Sequence, residues 1–330
     1  MIRGAGALVA VGLAFVAPAL FVSCDGESSF GPDVDADVER AARSITAAEL
    51  RAHVEAVAHD SMLGRGTPGP GLDAAGRYVR ERFEEAGLSP AIDGAWEQTF
   101  EVFFPSQGTA LNVVGVIEGS DPAARDEYVI VSAHMDHLGL ASRPIDGDSI
   151  FNGADDNGSG TSALLELAEA LGELDHRPRR SIVFAAFGAE EQGLIGSSWY
   201  VSQPPFPIET TVAVLNMDML SRNSPDTIAI LRSSAAIGSV ADAVATRSPG
   251  LGLTVGADPW PSENLIRRSD QWSFIRSGVE GLLMTSGLHA DYHGRHDEAD
   301  RIDPDKLERV ARLALLILLD LADPAVWSPP

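Results

Sequence analysis

The sequence predicts an α/β protein, a three-layer αβα sandwich around a mixed, mostly parallel central sheet, and three observations carry that expectation. Four near-continuous apolar runs, at 128–133, 181–187, 211–217 and 281–285, have strand length and lack polar alternation, as strands covered on both faces should. Helical periodicities over 161–171 and 271–277 stand between them, the alternation of a parallel sheet. The chain has 330 residues and 45% hydrophobic content, enough for one large core.

The first 23 residues stand outside that domain. Arg3 gives a positive start, Ala7 to Val22 is apolar, and Ser23-Cys24 closes the segment, the layout of a signal peptide. It resembles a bacterial lipoprotein signal, in which the cysteine becomes the lipid-bearing first residue of the mature chain. Phe21-Val22-Ser23 departs from the small residues usual before such a cysteine, so a plain secretory signal or an uncleaved anchor is the alternative. Cys24 is the only cysteine, which excludes an intrachain disulfide. The expected layout is a signal peptide over 1–23, a lipidated N-terminus and flexible tether over 24–45, and one domain over 46–330. The protein is then exported to the cell envelope and meets the membrane only through its anchor at Cys24, or is secreted.

Within the domain, Thr46 with Glu49 three residues on is a capping-box pattern, and Leu50, Val54 and Val57 follow at helical spacing. Residues 64–71 are rich in glycine and proline and read as a loop. A second helix spans 72–86, with Tyr78, Val79 and Phe83 facing inward and Gly87 as its stop. Strands are expected at 99–104 and 112–118. Asp303-Pro304 is an N-cap and first-turn pair. The helix it opens runs through an apolar stretch at 313–319, too short to span a bilayer and therefore a core helix.

Formal charge is −24, and Lys306 is the only lysine. A surface so acidic argues against nucleic acid and against an anionic membrane face as partners.

Three of the apolar runs, and the glycine-rich stretch at 152–160, lead into side chains able to bind metal. His134 stands at a strand end, where ligands gather in open α/β sheets, and Asp136 could orient its imidazole through the other ring nitrogen. A structural role is the plainer alternative, and His137, which projects differently, ranks below His134. Asp155 and Asp156 sit in a glycine-rich turn before a helix, where capping competes with metal binding, while a calcium loop lacks the required spacing. Glu190 and Glu191 follow a buried strand and point different ways, so one can bind metal while the other handles protons. Asp218 interrupts a hydrophobic segment, where an unpaired charge is costly and favours a cation. His289, Tyr292, His293 and His296 cluster with Asp291, Asp297 and Asp300. Two histidines and three carboxylates form a donor set that zinc accepts.

These segments resemble metallopeptidase family 28, the dinuclear zinc aminopeptidases and their glutamate carboxypeptidase relatives. The carriers are Ser132-Ala-His-Met-Asp-His-Leu-Gly139, Asn152-Gly-Ala-Asp-Asp-Asn-Gly-Ser-Gly160, Gly188-Ala-Glu-Glu-Gln-Gly-Leu-Ile-Gly-Ser197 and Asn216-Met-Asp-Met219, in this order, and the similarity runs from about 46 to 322. The resemblance implies a zinc-exopeptidase fold and two Zn²⁺ ions, with His134 and Asp218 on one and Glu191 and His293 on the other. Asp156 matches the bridging carboxylate, leaving Asp155 without metal. Glu190 matches the general base, Tyr292 an oxyanion donor, and Asp136 the partner of His134. Two departures stand out, each able to alter the pocket wall: Gln271 follows Ser269-Asp270 where relatives usually have histidine, and Arg295-His296 replaces a small-residue or proline turn. The short stretch from Gln107 to His134 leaves no room for a protease-associated insertion.

The expected activity is release of N-terminal residues from peptides by zinc-activated water. A carboxypeptidase on the same scaffold would need basic residues to read a substrate carboxylate, and Arg267, Arg268 and Arg295 are candidates. A glutaminyl-cyclase-like acyl transfer would use one zinc, and a non-catalytic zinc-binding lipoprotein would be expected to lack Glu190.

Overall fold

Alternate residues of the central strands pack on opposite faces of one sheet, which is why their sequences are apolar throughout. The computed structural model describes residues 1, 32–103, 106–145, 147–256 and 258–330. The proposed signal segment and Cys24 lie outside the described residues. Helices α1 (Pro32–Ser44), α2 (Ala47–Val57) and α3 (Pro70–Glu85) come first. Strands β1 (Ser89–Pro90), β2 (Glu97–Val102), β3 (Gly108–Ile117) and β4 (Tyr128–His134) follow. A hairpin of β5 (Gly139–Ile145) and β6 (Asp148–Phe151) leads to α4 (Gly160–Gly172) and β7 (Ser181–Phe187). Next come α5 (Ile195–Ser202), β8 (Thr211–Met217), β9 (Thr227–Arg232), α6 (Ala235–Arg247) and β10 (Thr254–Gly256). The chain ends through α7 (Gln271–Ile275), β11 (Glu280–Thr285) and α8 (Pro304–Leu321).

The nine-stranded sheet has the order β1-β3-β7-β4-β8-β11-β9-β10, with β2 also paired to β3. It is mixed: β7, β4, β8 and β11 run parallel at its centre, and β3 and β9 join them antiparallel. Val129, Val131, Ile182, Phe184, Ala213 and Leu215 belong to the core shared with α2, α3, α4 and α8. Ile130, Val183, Ala185 and Val214 pack instead with Tyr200 of α5 and Phe274 of α7. These are the two outer layers of the sandwich.

The helix signals in the sequence act as expected at several ends. Thr46 accepts the Glu49 amide, Asp303 accepts the Lys306 amide, and Gly87 follows α3 at a φ of 77°. No helix among the described residues is long and apolar enough to cross a membrane.

One boundary is corrected. The segment 24–45 is not a tether throughout, because 32–44 form α1 and Ala41 and Ile45 are buried in the core. Val38, Ala41, Ala42 and Ile45 repeat at helical spacing, and buried Asp37 accepts the amides of Asp175 and His176. The acidic composition concealed this stripe.

Candidate metal centre

Parallel strands deliver their carboxyl ends to one edge of the sheet, and register decides which residues meet there. Ser132 of β4 stands opposite Asn216 of β8, so two residues further on His134 and Asp218 are level. His134 Nε2 lies 3.4 Å from Asp218 Oδ1. On the other side, His134 is paired with Phe187, and the chain beyond β7 brings Glu190 and Glu191 to the same rim. His293 arrives from the connection after β11, at a φ of 54°.

Asp156 lies between the two groups on the loop before α4. Its Oδ1 is 3.5 Å from His134 Nε2, and its Oδ2 is 3.2 Å from His293 Nε2. His293 Nε2 is also 3.1 Å from Glu191 Oε2. Donor atoms at the corners of a tetrahedron, 2.0–2.1 Å from a zinc ion, stand about 3.3 Å apart. Donor atoms of His134, Asp156 and Asp218 all lie within 4.8 Å of one another, as do those of His137, Asp156 and Glu191, and His293 Nε2 stands beside the second set; Asp156 turns one oxygen toward each. Asp156 Oδ2 is buried without a hydrogen-bond partner, as an oxygen reserved for a cation would be.

Electrostatics point the same way. Burial opposes charge on His134, yet Glu190, Asp218 and Asp156 raise its pKa well above the ordinary imidazole range. Burial likewise opposes charge on His293, and Asp156 and Glu191 still lift it to about 10. A field that holds protons on two imidazoles favours a cation between them. Glu190 is pushed well above the usual carboxylate range by burial first and then by Asp270, Asp218 and Glu191.

A cavity of about 370 Å³ opens onto this rim. His134, Asp156, Glu190, Glu191, Asp218, Tyr292 and His293 line it, with Met219, Leu265, Leu283 and Leu288 on an apolar wall. Arg267 and Arg268 also border it.

Residues 112–318 match the profile of peptidase family M28. The chain belongs to that family. It is 41% identical over 116 residues to the aminopeptidase NAALADL1 of Mus musculus, covering 34% of this chain and 14% of the relative. It is 29% identical over 277 residues to a probable glutamate carboxypeptidase of Arthroderma benhamiae, covering 78% of this chain and 36% of the relative. The chain thus spans well under half the length of these curated relatives. The LapA aminopeptidase of Legionella pneumophila shares its fold at 21% identity, with a TM-score of 0.68 over 87% of this chain and 75% of that one.

Within this site, the loop bearing Asp156 is held from behind by Arg65, which sequence alone did not single out, and by Asp297 of the late cluster. Arg65 is fully buried and donates to the carbonyl oxygens of Val57, Met135, Asn152 and Gly153 at 2.6–2.9 Å and to that of Asp156 at 3.5 Å. It thereby ties the His134 and Asp156 segments together. Asp297 accepts the amides of Asp155 and Asp156. Asp155 points away from the centre, accepting the Ser221 amide and hydroxyl at 2.8 Å, with His289 Nε2 3.4 Å from its other oxygen. Gly153 has a φ of 58°, and a Cβ there would meet the His137 ring at 2.5 Å. Only glycine admits that approach.

Four expectations change. The Asp136 carboxylate is 3.8 Å from His134 Nδ1, beyond hydrogen-bond reach, and its carbonyl oxygen is nearer at 3.2 Å. The carboxylate instead accepts the amides of Glu190 and Glu191, so Asp136 fixes the neighbouring loop. His137, ranked low, is buried with Nδ1 2.8 Å from Glu191 Oε1. Gln271 does not reach the cavity: it is buried and accepts a hydrogen bond from Asn216 Nδ2 at 2.9 Å. Arg295 is also absent from the cavity wall and donates to the Asp148 carbonyl. Of the late cluster, Tyr292 and His293 enter the site, His289 and Asp297 support it, Asp291 pairs with Arg222, and His296 and Asp300 are exposed.

Proposed function

We propose that the chain is a dinuclear zinc aminopeptidase, and the observation that carries this is the position of Asp156, one oxygen in each donor group. His134 and Asp218 would hold one ion with Asp156 Oδ1, and Glu191 and His293 the other with Oδ2. When bound, such ions acidify water and polarise a carbonyl group. Glu190 faces the same cavity, where its carboxylate would take a proton from the attacking water and return it to the leaving amine.

Tyr292 stacks on His293 with ring centroids 3.8 Å apart. Burial, with Asp156 and Glu191 nearby, raises its phenol, so it stays protonated and able to donate to a developing oxyanion. A free substrate amine would meet the carboxylates of Glu190 and Asp218, and the apolar wall would receive the terminal side chain.

Arg267 and Arg268 on the cavity wall favour one rival, a carboxypeptidase reading a terminal carboxylate. A panel of aminoacyl anilides, amine-blocked peptides and carboxyl-blocked peptides separates the two. Hydrolysis of anilides with no cleavage of amine-blocked peptides is expected, and the reverse pattern would establish the carboxypeptidase. We also propose export and lipid anchoring at Cys24, motivated by the signal-like segment before it. Cys24→Ser should move the protein from the detergent phase to the aqueous phase, and unchanged partition would refute the anchor.

A further inference from the structure

A second set of metal-competent side chains lies between the helices, sharing no residue with the rim of the sheet. His53 of α2 and Glu166 and Glu169 of α4 each offer a donor atom, and the three atoms lie within 4.8 Å of one another. Glu166 and Glu169 stand three apart on one helix, so their side chains share a face.

Glu166 is the unusual member. It is only 2% exposed on a stretch of α4 that is otherwise Leu164, Leu165, Leu167, Ala168 and Ala170, and its Oε1 has no hydrogen-bond partner. A buried carboxylate oxygen that no donor satisfies at good geometry carries a solvation penalty that a cation removes. The nearest positive candidate is His53 Nε2, 3.4 Å from Oε1. Burial pushes the Glu166 carboxyl above its usual range.

His53 is oriented for coordination. Its Nδ1 is 2.8 Å from the Tyr78 hydroxyl of α3, which directs Nε2 toward Glu166. A ligating histidine characteristically gives its second ring N–H to such an acceptor, which leaves the other nitrogen free for a metal. The cluster also has access to solvent. A cavity of about 470 Å³ is lined by His53, Tyr78 and Glu169, with Glu49, Glu85 and Glu173 against the single cation Arg82.

We propose that His53, Glu166 and Glu169 form a further metal site for a divalent ion of the zinc class, completed by water from this cavity and clamping α2 to α4. One imidazole nitrogen and two carboxylate oxygens are a donor set that zinc accepts. The ion stabilises the helical layer and takes no part in hydrolysis.

The test is zinc stoichiometry of the full-length chain, loaded with zinc sulfate, desalted and measured by elemental mass spectrometry. Wild type should retain about one equivalent more than Glu166→Gln or Glu169→Gln, with peptidase activity unchanged within about twofold. Glu169 is exposed, so its variant folds even where the buried substitution does not. Zinc should also raise the melting temperature of wild type by about 4 °C more than that of Glu169→Gln. Equal zinc retention and equal thermal shifts in wild type and Glu169→Gln would overturn the site. A chain that loses one equivalent in Glu169→Gln yet hydrolyses no peptide would support this site while sinking the aminopeptidase reading.

Discussion

His134 and Asp218 stand at the ends of hydrogen-bonded neighbours, β4 and β8, whereas Glu191 and His293 ride on connections beyond β7 and β11. The first pair inherits its spacing from strand register and is buried. The second is set by loops, and His293 keeps 36% of its side chain exposed. One half of the rim is therefore preorganised by the sheet, and the other depends on supporting contacts: Asp136 on the Glu191 amide, His137 on the Glu191 carboxylate, and Tyr292 against the His293 ring. The contrast teaches that metal affinity in the loop half should be the easier of the two to disturb.

The strongest way to break the comparison is to remove the group both halves share. Asp156→Ala should lower kcat/KM by about 10⁴-fold or more and reduce zinc at both donor groups, read by elemental analysis beside the activity assay. Full zinc retention would show that the halves do not depend on a common carboxylate.

Glu190→Gln tests chemistry without touching either donor group. We expect kcat to fall by about 10³-fold with zinc content unchanged, within the range for loss of a general base. Wild-type turnover in that variant would remove Glu190 from the mechanism.

The sharpest test of the difference itself is the smallest in effect. His137→Gln removes the 2.8 Å contact to Glu191 Oε1 and should weaken binding of one zinc ion by about 10- to 100-fold, leaving the second unchanged in a chelator competition titration. Equal weakening of both ions would mean that the halves are not independently supported.

What could be read from the chain alone follows the same division. Continuous apolar runs fit strands covered on both faces, and buried charges just past three of them call for a cation at the rim. Hence β4, β7, β8 and β11 were legible, and with them His134, Glu190, Glu191 and Asp218 as candidates. The α1 stripe was hidden because four apolar positions among many acids look like solvated tether. Asp136 was placed beside His134 by proximity in sequence, but two residues past a strand end the backbone has already turned, and its carboxylate meets the amides of the next loop.

Tertiary structure alone decided the rest. Arg65 sits in a loop of the sequence that looks expendable, and its role exists only because the ends of two other segments bring their carbonyls to it. His137, Gln271 and Arg295 were misjudged for a related reason: a side chain's direction after a strand or turn depends on packing partners distant in sequence. Local pattern determined which residues would be unhappy as isolated buried charges. Which of them meet, at which distance and on which oxygen of Asp156, was set by strand register and loop packing, which bring together groups separated by most of the chain.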